Sequence, residues 1–317
     1  MAGATREMRA ALPGTSRVSP FRVSPGTGII AAMIVWLVIT ALVVLIVALV
    51  IYWAVVMTEG AYFGARAVQA IYDWGAETYD DVKQYVDTDE FWFLGYPLAS
   101  RLEETVGPRA LVLDVATGTA RLPLALCRVM SFDGQIVGLD LSRQMLAQAE
   151  RKTSGFARRV ALVHAPAVPL SFADGSFDAV TMLEALEFVP DPDATLRELV
   201  RVLAPGGWLL VSNRVGRDAL WLPGRAPSPQ RFERKLRSVG LTDIETRPWQ
   251  EYYDLIWARK PETPIPRLVP RDWRRVLRCP VCGTIGAWRA CDGTLRCEHC
   301  GTCFAVPGRV LELGRAI

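Results

Sequence analysis

The apolar residues of this chain follow different patterns in different segments, and these patterns predict its elements. Residues 29–57 form one uninterrupted apolar run without a charge. Further along, short apolar runs such as residues 111–115 and 136–139 alternate with segments whose apolar residues recur at helical spacing. Short continuous runs are typical of parallel strands that are buried on both faces. The pattern therefore predicts an α/β domain that follows a long hydrophobic helix.

The run at residues 29–57 is long enough to cross a lipid bilayer, because about 20 apolar residues span a hydrocarbon core of ~30 Å. The apolar part of a cleavable signal peptide is shorter, about 7–15 residues. We therefore expect a single uncleaved transmembrane helix at residues 29–57. The preceding residues 1–28 are rich in Ser, Pro, Gly and Arg, which predicts a disordered basic arm.

A turn of small residues follows the first short apolar run. Residues 114–120 read Asp-Val-Ala-Thr-Gly-Thr-Ala, with small side chains at the alternate positions Ala116, Gly118 and Ala120. Small turn residues let the backbone approach a ligand closely. The second run ends at Asp140, whose carboxylate can accept hydrogen bonds from both hydroxyls of a ribose. This strand–turn–helix–strand–acid pattern predicts a nucleoside cofactor.

The spacing differs from the G-x-G-x-x-G turn that binds a dinucleotide. A carboxylate at Asp114 would repel a pyrophosphate but suits a cationic amino-acid group. The turn resembles motif I of the class I S-adenosylmethionine-dependent methyltransferases. More narrowly, it is similar to the C-methyltransferases of ubiquinone and menaquinone biosynthesis and their type 11 relatives. Residues 138–146, 171–180 and 196–211 resemble later motifs of that family in the same order, and the resemblance covers residues 72–260.

The resemblance implies S-adenosylmethionine as the cofactor and places its site at the ends of the strands. Asp114 would orient the cofactor and Asp140 would hold its ribose. Many relatives have an acid that receives the adenine amino group, and its place falls on Pro166 in this chain. The other expected cofactor contacts are Ala116, Gly118 and Thr119 along the cofactor, Leu141, Met145 and Val168 around adenine, and Leu183 beside the sulfonium.

Two acids after the fourth predicted strand, Glu184 and Glu187, are candidate catalytic bases. A sulfonium methyl is already activated, so the protein contributes mainly alignment and exclusion of water. Methylation of a carbon or a phenol must also remove a proton, which either acid could accept. A polar contact or a helix start is the simpler role for each of them. His164, beside a strand end, fits a packing role better than a catalytic one.

Four of the seven cysteines form two C-x-x-C pairs, made of Cys279, Cys282, Cys297 and Cys300. Four thiolates at this spacing suit tetrahedral zinc, and two disulfides are the alternative. A segment this small needs a bound metal or disulfides in order to fold. The stretch at residues 303–311 resembles the zinc ribbons of small methyltransferase-activator proteins. We expect the zinc to be structural, because four thiolates leave no open position for a substrate.

The predicted fold class is therefore α/β, with a Rossmann-like sheet of seven strands, a preceding transmembrane helix and a small zinc ribbon at the end. Residues 58–104, in which Tyr72-Asp73 and Tyr79-Asp80 recur, are expected to form a helical lid or linker. The methyltransferase domain is assigned to residues 105–260. A proline-rich linker at residues 261–275 is expected to separate its core from a ribbon at residues 276–317.

These features predict a membrane-anchored methyltransferase that acts on a lipophilic acceptor, either a quinone precursor or a lipid headgroup. A membrane anchor raises the effective concentration of an acceptor that resides in the bilayer. One alternative is an RNA or protein methyltransferase that recognises its substrate with the ribbon, although the chain has no basic stripe interleaved with aromatic residues. Another is a non-catalytic membrane adaptor, which an altered motif I would favour. The oligomeric state is left open.

The charges around the apolar run conflict with the expected chemistry. Residues 1–28 hold four arginines, whereas Arg66 is the first basic residue after the run. The positive-inside rule would keep the amino terminus in the cytoplasm and place the enzyme outside. S-adenosylmethionine is made and used in the cytoplasm, and free thiols persist there. We expect a single-pass protein with its catalytic domain on the cytoplasmic side, with the apolar segment either spanning or lying in the inner leaflet.

Overall fold

The computed structural model describes residues 25–269 and 271–314, and it divides the chain into two units at residues 50 and 51. The predicted basic arm, residues 1–28, lies mostly outside the described residues. Helix α1 (Pro25–Tyr52) continues as a π-helical turn at Trp53–Met57. Its side chains from Gly28 to Val50 are all exposed. By length and composition Gly28–Met57 suits a membrane span, a test that an amino-terminal signal sequence also passes.

Four short helices follow in the region that was expected to form a lid. They are α2 (Ala65–Gly75), α3 (Tyr79–Lys83), α4 (Asp87–Glu90) and α5 (Tyr96–Thr105), and α4 continues into α5 through a π-helical turn at Phe91–Gly95. Gly95 lies directly on the helix that follows the first strand, because a Cβ there would sit 2.4 Å from the carbonyl oxygen of Ala125. This close approach fixes α5 against the main domain.

Strands and helices then alternate in the order that the sequence predicts. The elements are β1 (Leu111–Val115), α6 (Arg121–Cys127), β2 (Gln135–Asp140), α7 (Arg143–Lys152), β3 (Val160–His164), β4 (Phe177–Met182), α8 (Pro192–Val202), β5 (Leu203–Arg214), α9 (Pro229–Ser238), β6 (Thr242–Trp249) and β7 (Tyr253–Arg259). Strands β1 to β5 pair in parallel, and β7 pairs antiparallel with both β5 and β6. The predicted Rossmann-like sheet is confirmed, and these are its seven expected strands.

The centre of the sheet is buried on both faces. All five residues of β1 are buried, and their side chains alternate between the two large apolar clusters of the domain. Leu111, Leu113 and Val115 belong to one cluster, and Val112 belongs to the other. Successive side chains of a strand point to opposite faces, so helices must cover both sides of this sheet. This explains why the short apolar runs show no alternation.

The carboxyl-terminal segment joins the main domain instead of forming a separate one. Strands β8 (Trp288–Cys291), β9 (Thr294–Cys297) and β10 (Cys303–Ala305) form a small antiparallel sheet. The next strand, β11 (Val310–Glu312), pairs in parallel with β3. Within the described residues the main sheet therefore has eight strands, in the order β11-β3-β2-β1-β4-β5-β7-β6.

The expectation that residues 261–275 separate two cores was wrong. Cys279, Leu295 and Phe304 are buried in the same apolar cluster as Leu113 of β1. The proline-rich residues also lie on the domain, where Arg267 donates a 2.8 Å hydrogen bond to the buried carboxylate of Asp178. Prolines exclude regular structure, but they do not prevent a segment from packing against the domain.

Candidate active site

A cavity of about 350 Å³ lies at the carboxyl ends of β1, β2, β3 and β4, and we term it the main cavity. Ligands of open α/β sheets bind at this end of the strands. Helices α2 and α3 close one side, since α2 contributes Ala65, Val68, Gln69 and Tyr72 to the lining and α3 contributes Tyr79. A smaller cavity of about 40 Å³, the second cavity, lies beside the turn after β1.

The small residues of that turn are explained by its backbone. Ala116, Gly118 and Ala120 all have positive φ angles, of 56°, 54° and 69°. L-residues rarely adopt this left-handed conformation, and bulky side chains adopt it least. A Cβ on Gly118 would meet nothing within 4 Å, so the backbone at this point is open to a ligand in the main cavity.

Asp140 lies on the main cavity and ties two loops together. Its Oδ2 accepts a 2.8 Å hydrogen bond from the N–H of Gly118, and its Oδ1 accepts one of the same length from the N–H of Ser142. Each carboxylate oxygen can accept a further hydrogen bond. Asp140 can therefore receive the two hydroxyls of a ribose, and the site fits the nucleoside part of S-adenosylmethionine.

Asp114 has a different environment. Its two oxygens accept 2.6 Å hydrogen bonds from the hydroxyls of Thr117 and Thr181, and burial raises its pKa to about 6. It lines the second cavity, not the main one. Asp114 thus holds the turn against β4, and a ligand would reach it only through the second cavity.

The structure brings most of the other predicted cofactor contacts together. Leu141, Val168 and Leu183 line the main cavity with Ala116, Gly118 and Asp140, and Thr119 lines the second cavity. Met145 is different. It is 1% exposed inside α7, and it lines neither cavity. Its backbone N–H is capped by the hydroxyl of Ser142.

The two candidate bases are placed differently. Glu184 lines the main cavity, but its Oε1 lies 2.5 Å from a nitrogen of Arg121 and its Oε2 lies 2.7 Å from Nζ of Lys83. Burial by itself would raise the pKa of Glu184, yet the two cations lower it below the usual value. A carboxylate that is paired in this way is a poor proton acceptor.

Glu187 has a suitable pKa but lies outside the main cavity. Burial raises its pKa to about 7, and the hydroxyl of Tyr253 donates a 2.6 Å hydrogen bond to it. It lines a separate cavity of about 20 Å³. A catalytic role for either glutamate stays a prediction.

The recurring Tyr-Asp pairs of α2 and α3 make contacts that their spacing alone did not reveal. Tyr72 and Tyr79 line the main cavity with their ring centres 6.0 Å apart. Asp73 accepts a 2.5 Å hydrogen bond from the hydroxyl of Ser142, after β2. Asp80 accepts a 2.7 Å hydrogen bond from the hydroxyl of Thr119, after β1. These two helices therefore contact both loops that surround the predicted cofactor.

His164 connects the main cavity to the added strand. Its Nε2 lies 2.9 Å from the carbonyl oxygen of Leu141, which lines the cavity, and its Nδ1 contacts Glu312 of β11. Glu312 also pairs with Arg143 at 2.7 Å. These contacts support the packing role that was expected for His164.

The four predicted metal ligands lie together. The sulfur atoms of Cys279, Cys282, Cys297 and Cys300 are all within 4.8 Å of one another. The Cys279–Cys300 and Cys282–Cys297 pairs are 3.8 and 3.7 Å apart, much longer than the ~2.05 Å of a disulfide. A tetrahedron with Zn–S bonds of 2.3 Å has edges of about 3.8 Å. The thiol group can therefore hold a metal ion of this kind.

Comparison with known proteins agrees with this site. Residues 113–211 match the family model described as a methyltransferase domain. The chain is 41% identical to the demethylmenaquinone methyltransferase of Staphylococcus saprophyticus over 108 residues. This match covers 34% of this chain and 46% of that protein. The chain is 35% identical over 135 residues to the enzyme of the same name from Staphylococcus epidermidis, covering 43% and 55%. The chain thus spans about half the length of these curated relatives.

A solved S-adenosylmethionine-dependent methyltransferase from Aquifex aeolicus is 20% identical to this chain, with a TM-score of 0.42. The match covers 55% of this chain and 98% of that one. The family match over residues 113–211 and the Rossmann-like sheet together support a methyltransferase domain within this chain.

Proposed function

We propose that the protein is an S-adenosylmethionine-dependent methyltransferase that acts on a lipophilic acceptor at a membrane. The observation that carries this proposal is Asp140, which joins the loops after β1 and β2 and presents its carboxylate to the main cavity. The family match over residues 113–211 supports the same reaction class.

S-adenosylmethionine supplies an activated methyl group when it is bound. Asp140 would hold the ribose hydroxyls, and Leu141, Pro166 and Val168 would contact adenine through apolar atoms. The open backbone at Gly118 would let the cofactor pass close to the turn. Because the methyl group needs little further activation, the residues contribute alignment and exclusion of water. The rings of Tyr72 and Tyr79 would exclude water from the main cavity.

The lipophilic acceptor is supported by two independent observations. The curated relatives named above are demethylmenaquinone methyltransferases, so we propose a quinone precursor or a lipid headgroup for this chain. Helix α1 has the length and composition of a membrane span, and Ala65 of the main cavity follows its apolar run closely in the sequence. We propose a single-pass protein with the catalytic domain on the cytoplasmic side.

We also propose that the metal held by the four thiolates is zinc in a structural role. The sulfur spacing matches a zinc tetrahedron. Four protein ligands complete that tetrahedron, so a substrate would find no open position.

Calorimetry on the Asp140→Ala variant tests the cofactor site. The substitution removes the ribose acceptors and should weaken binding of S-adenosylmethionine by about 1–3 kcal/mol, or roughly 5- to 150-fold. Asp133→Ala is a matched control, because the exposed side chain of Asp133 pairs with Arg109 at 3.5 Å on the surface. Unchanged affinity in Asp140→Ala would show that the assignment of Asp140 is wrong.

The acceptor is tested with radiolabelled S-adenosylmethionine and membranes from the source cell. We expect the labelled methyl group in the organic phase after extraction. Label found solely in the RNA or protein fraction would favour the rival substrate classes instead.

A further inference from the structure

Four charged side chains form a largely buried cluster beside the second cavity, which two of them, Arg121 and Glu184, line. Arg121 pairs with Glu90 through Nε at 2.5 Å and Nη2 at 2.8 Å, and with Glu184 through Nη1 at 2.5 Å. Lys83 of α3 pairs with the other oxygen of Glu184 at 2.7 Å. The side chains of Arg121, Glu90 and Glu184 are at most 10% exposed, and that of Lys83 is 28% exposed.

This arrangement is unfavourable as a purely structural device. Removing charges from water has a penalty that ion pairs often only just offset, and apolar replacements are frequently as stable. Glu184 also has a positive φ of 51°, a strained conformation for its residue type that is enriched at functional sites. Arg121 is held in place by the rings of Tyr85 and Trp249, 3.9 and 4.6 Å from its guanidinium carbon. A ligand role explains these features better than stability does.

The two cavities lie side by side along the turn after β1 and share part of their lining. Tyr79, Ala116, Gly118, Leu183 and Glu184 line both of them. A ligand whose ribose lies at Asp140 would therefore point its other end along Gly118 toward the second cavity. That cavity, about 40 Å³ in volume, matches a small polar head group, and its walls include both Arg121 and Glu184.

We propose that Lys83, Arg121 and Glu184 form the binding site for the α-amino-acid end of the cofactor, through an exchange of ion pairs. The carboxylate of the ligand pairs with Lys83 and Arg121, and its ammonium group pairs with Glu184. The inference rests on the proposed function and gives Glu184 a binding role in place of the base considered from the sequence.

Charge balance supports the exchange. The cluster has two cations and two anions, and Glu90 already occupies two of the donors of Arg121. This leaves Nη1 of Arg121 and Nζ of Lys83, which both contact Glu184 in the structure. A zwitterion adds one charge of each sign, so every buried charge keeps a partner when the ligand binds.

Two ligand pairs test the proposal by calorimetry on the full chain in detergent micelles. S-adenosylhomocysteine and 5′-methylthioadenosine are both uncharged at sulfur, but the second lacks the amino-acid end. The Glu184→Gln variant should bind S-adenosylhomocysteine about 10- to 100-fold more weakly and methylthioadenosine with wild-type affinity. Retained binding of methylthioadenosine also shows that the variant is folded.

The Lys83→Met variant tests the carboxylate partner. Lys83 is the most exposed member of the cluster, so this variant leaves Glu184 paired with Arg121. The variant should bind S-adenosylmethionine about 10-fold more weakly and bind decarboxylated S-adenosylmethionine with wild-type affinity. Lys235→Met is a matched control, because Lys235 forms its ion pair with the exposed Asp193 instead of with the cluster.

The outcomes separate the two proposals. If Glu184→Gln weakens both thioethers equally, or neither, the ion-pair exchange is wrong and the cofactor assignment stands. If the wild-type protein binds none of the four ligands, the proposed function itself fails.

Discussion

The two edges of the main sheet are built in opposite ways. At one edge, β6 and β7 form a local antiparallel hairpin whose strands are eight and seven residues long. At the other, the three-residue β11 pairs in parallel with β3, which lies far earlier in the chain. The first edge is held by its own turn. The second depends on the cysteine segment, which places β11 beside β3. It therefore also depends on the interaction that holds the four thiols together.

Both edges nevertheless support the candidate active site. From the β11 side, Glu312 and His164 hold the loop that carries Leu141. From the hairpin side, Tyr253 hydrogen-bonds to Glu187, and Trp249 stacks on Arg121. Variants that disturb one edge at a time should therefore show which contacts to the site depend on the hairpin and which depend on the distant carboxyl-terminal segment.

The largest effect is expected when the metal group is broken. Cys279→Ser removes one thiolate, and we expect loss of the metal because zinc and folding are coupled in small domains. Amide hydrogens of β8 to β11 should exchange faster, and those of β3 should follow because they lose their edge partner. The hairpin amides of β6 and β7 should keep their protection. Metal analysis and hydrogen exchange measure the two effects.

Cys303→Ser is the control for this comparison, because Cys303 lies outside the group of four and its sulfur contacts the carbonyl oxygen of Gly301 at 3.7 Å. It should retain the metal. Full metal content in Cys279→Ser, with native protection of β3, would contradict the dependence of this edge on the thiols.

A second effect, of intermediate size, should come from Glu187 at the hairpin edge. Burial raises its pKa from 4.5 to about 7, so the native carboxyl keeps a proton that the unfolded one has lost. The free energy of unfolding should therefore fall as pH rises from 4.5 to 7, by a maximum of about 3 kcal/mol. Glu187→Gln should lose this pH dependence and be the more stable protein at pH 8.

Thermal unfolding of both proteins from pH 5 to 8 measures the difference. Asp114, whose pKa is raised to about 6 by burial, should leave a residual dependence of the same sign in the variant. Parallel curves for the two proteins would show that Glu187 is ionised in the native state at these pH values.

The smallest effects should come from single paired carboxylates at the two edges. Glu312 is 20% exposed and contacts both Arg143 and His164. Glu312→Gln should therefore lower the free energy of unfolding by about 1–2 kcal/mol. Glu245 of β6 is 41% exposed and pairs with Arg101 at 2.9 Å and with Arg247 at 2.6 Å. Glu245→Gln should change stability by less than ~0.5 kcal/mol. Denaturant titration compares them, and a larger loss at Glu245 would reverse the ranking of the edges.

The sequence predicted the local parts of this structure and missed the distant pairings. Short apolar runs and the alternate small residues after β1 identified the sheet and the turn, because both depend on neighbouring residues. A three-residue strand such as β11 has too little pattern to show its partner. Its Glu312 contacts His164 across 148 positions of the chain.

The same limit applied to the site. The acid at position 184 was visible in the sequence, but the two cations that pair with it come from α3 and α6. Sequence reasoning therefore considered Glu184 as a base, whereas the structure shows a carboxylate that is already neutralised. Similarly, the hydroxyl bound to Glu187 comes from Tyr253, which nothing near position 187 indicates.

The late position of β11 also has a consequence for synthesis. Strand β3 leaves the ribosome long before its edge partner exists, and 148 positions correspond to roughly 7–30 s at 5–20 residues per second. During that interval β3 presents unpaired backbone groups, which other chains can use for association. Availability of the metal that the four thiols bind would then decide how soon after translation this edge is covered. The yield of intact protein from an expressing culture should therefore respond to the zinc content of its medium.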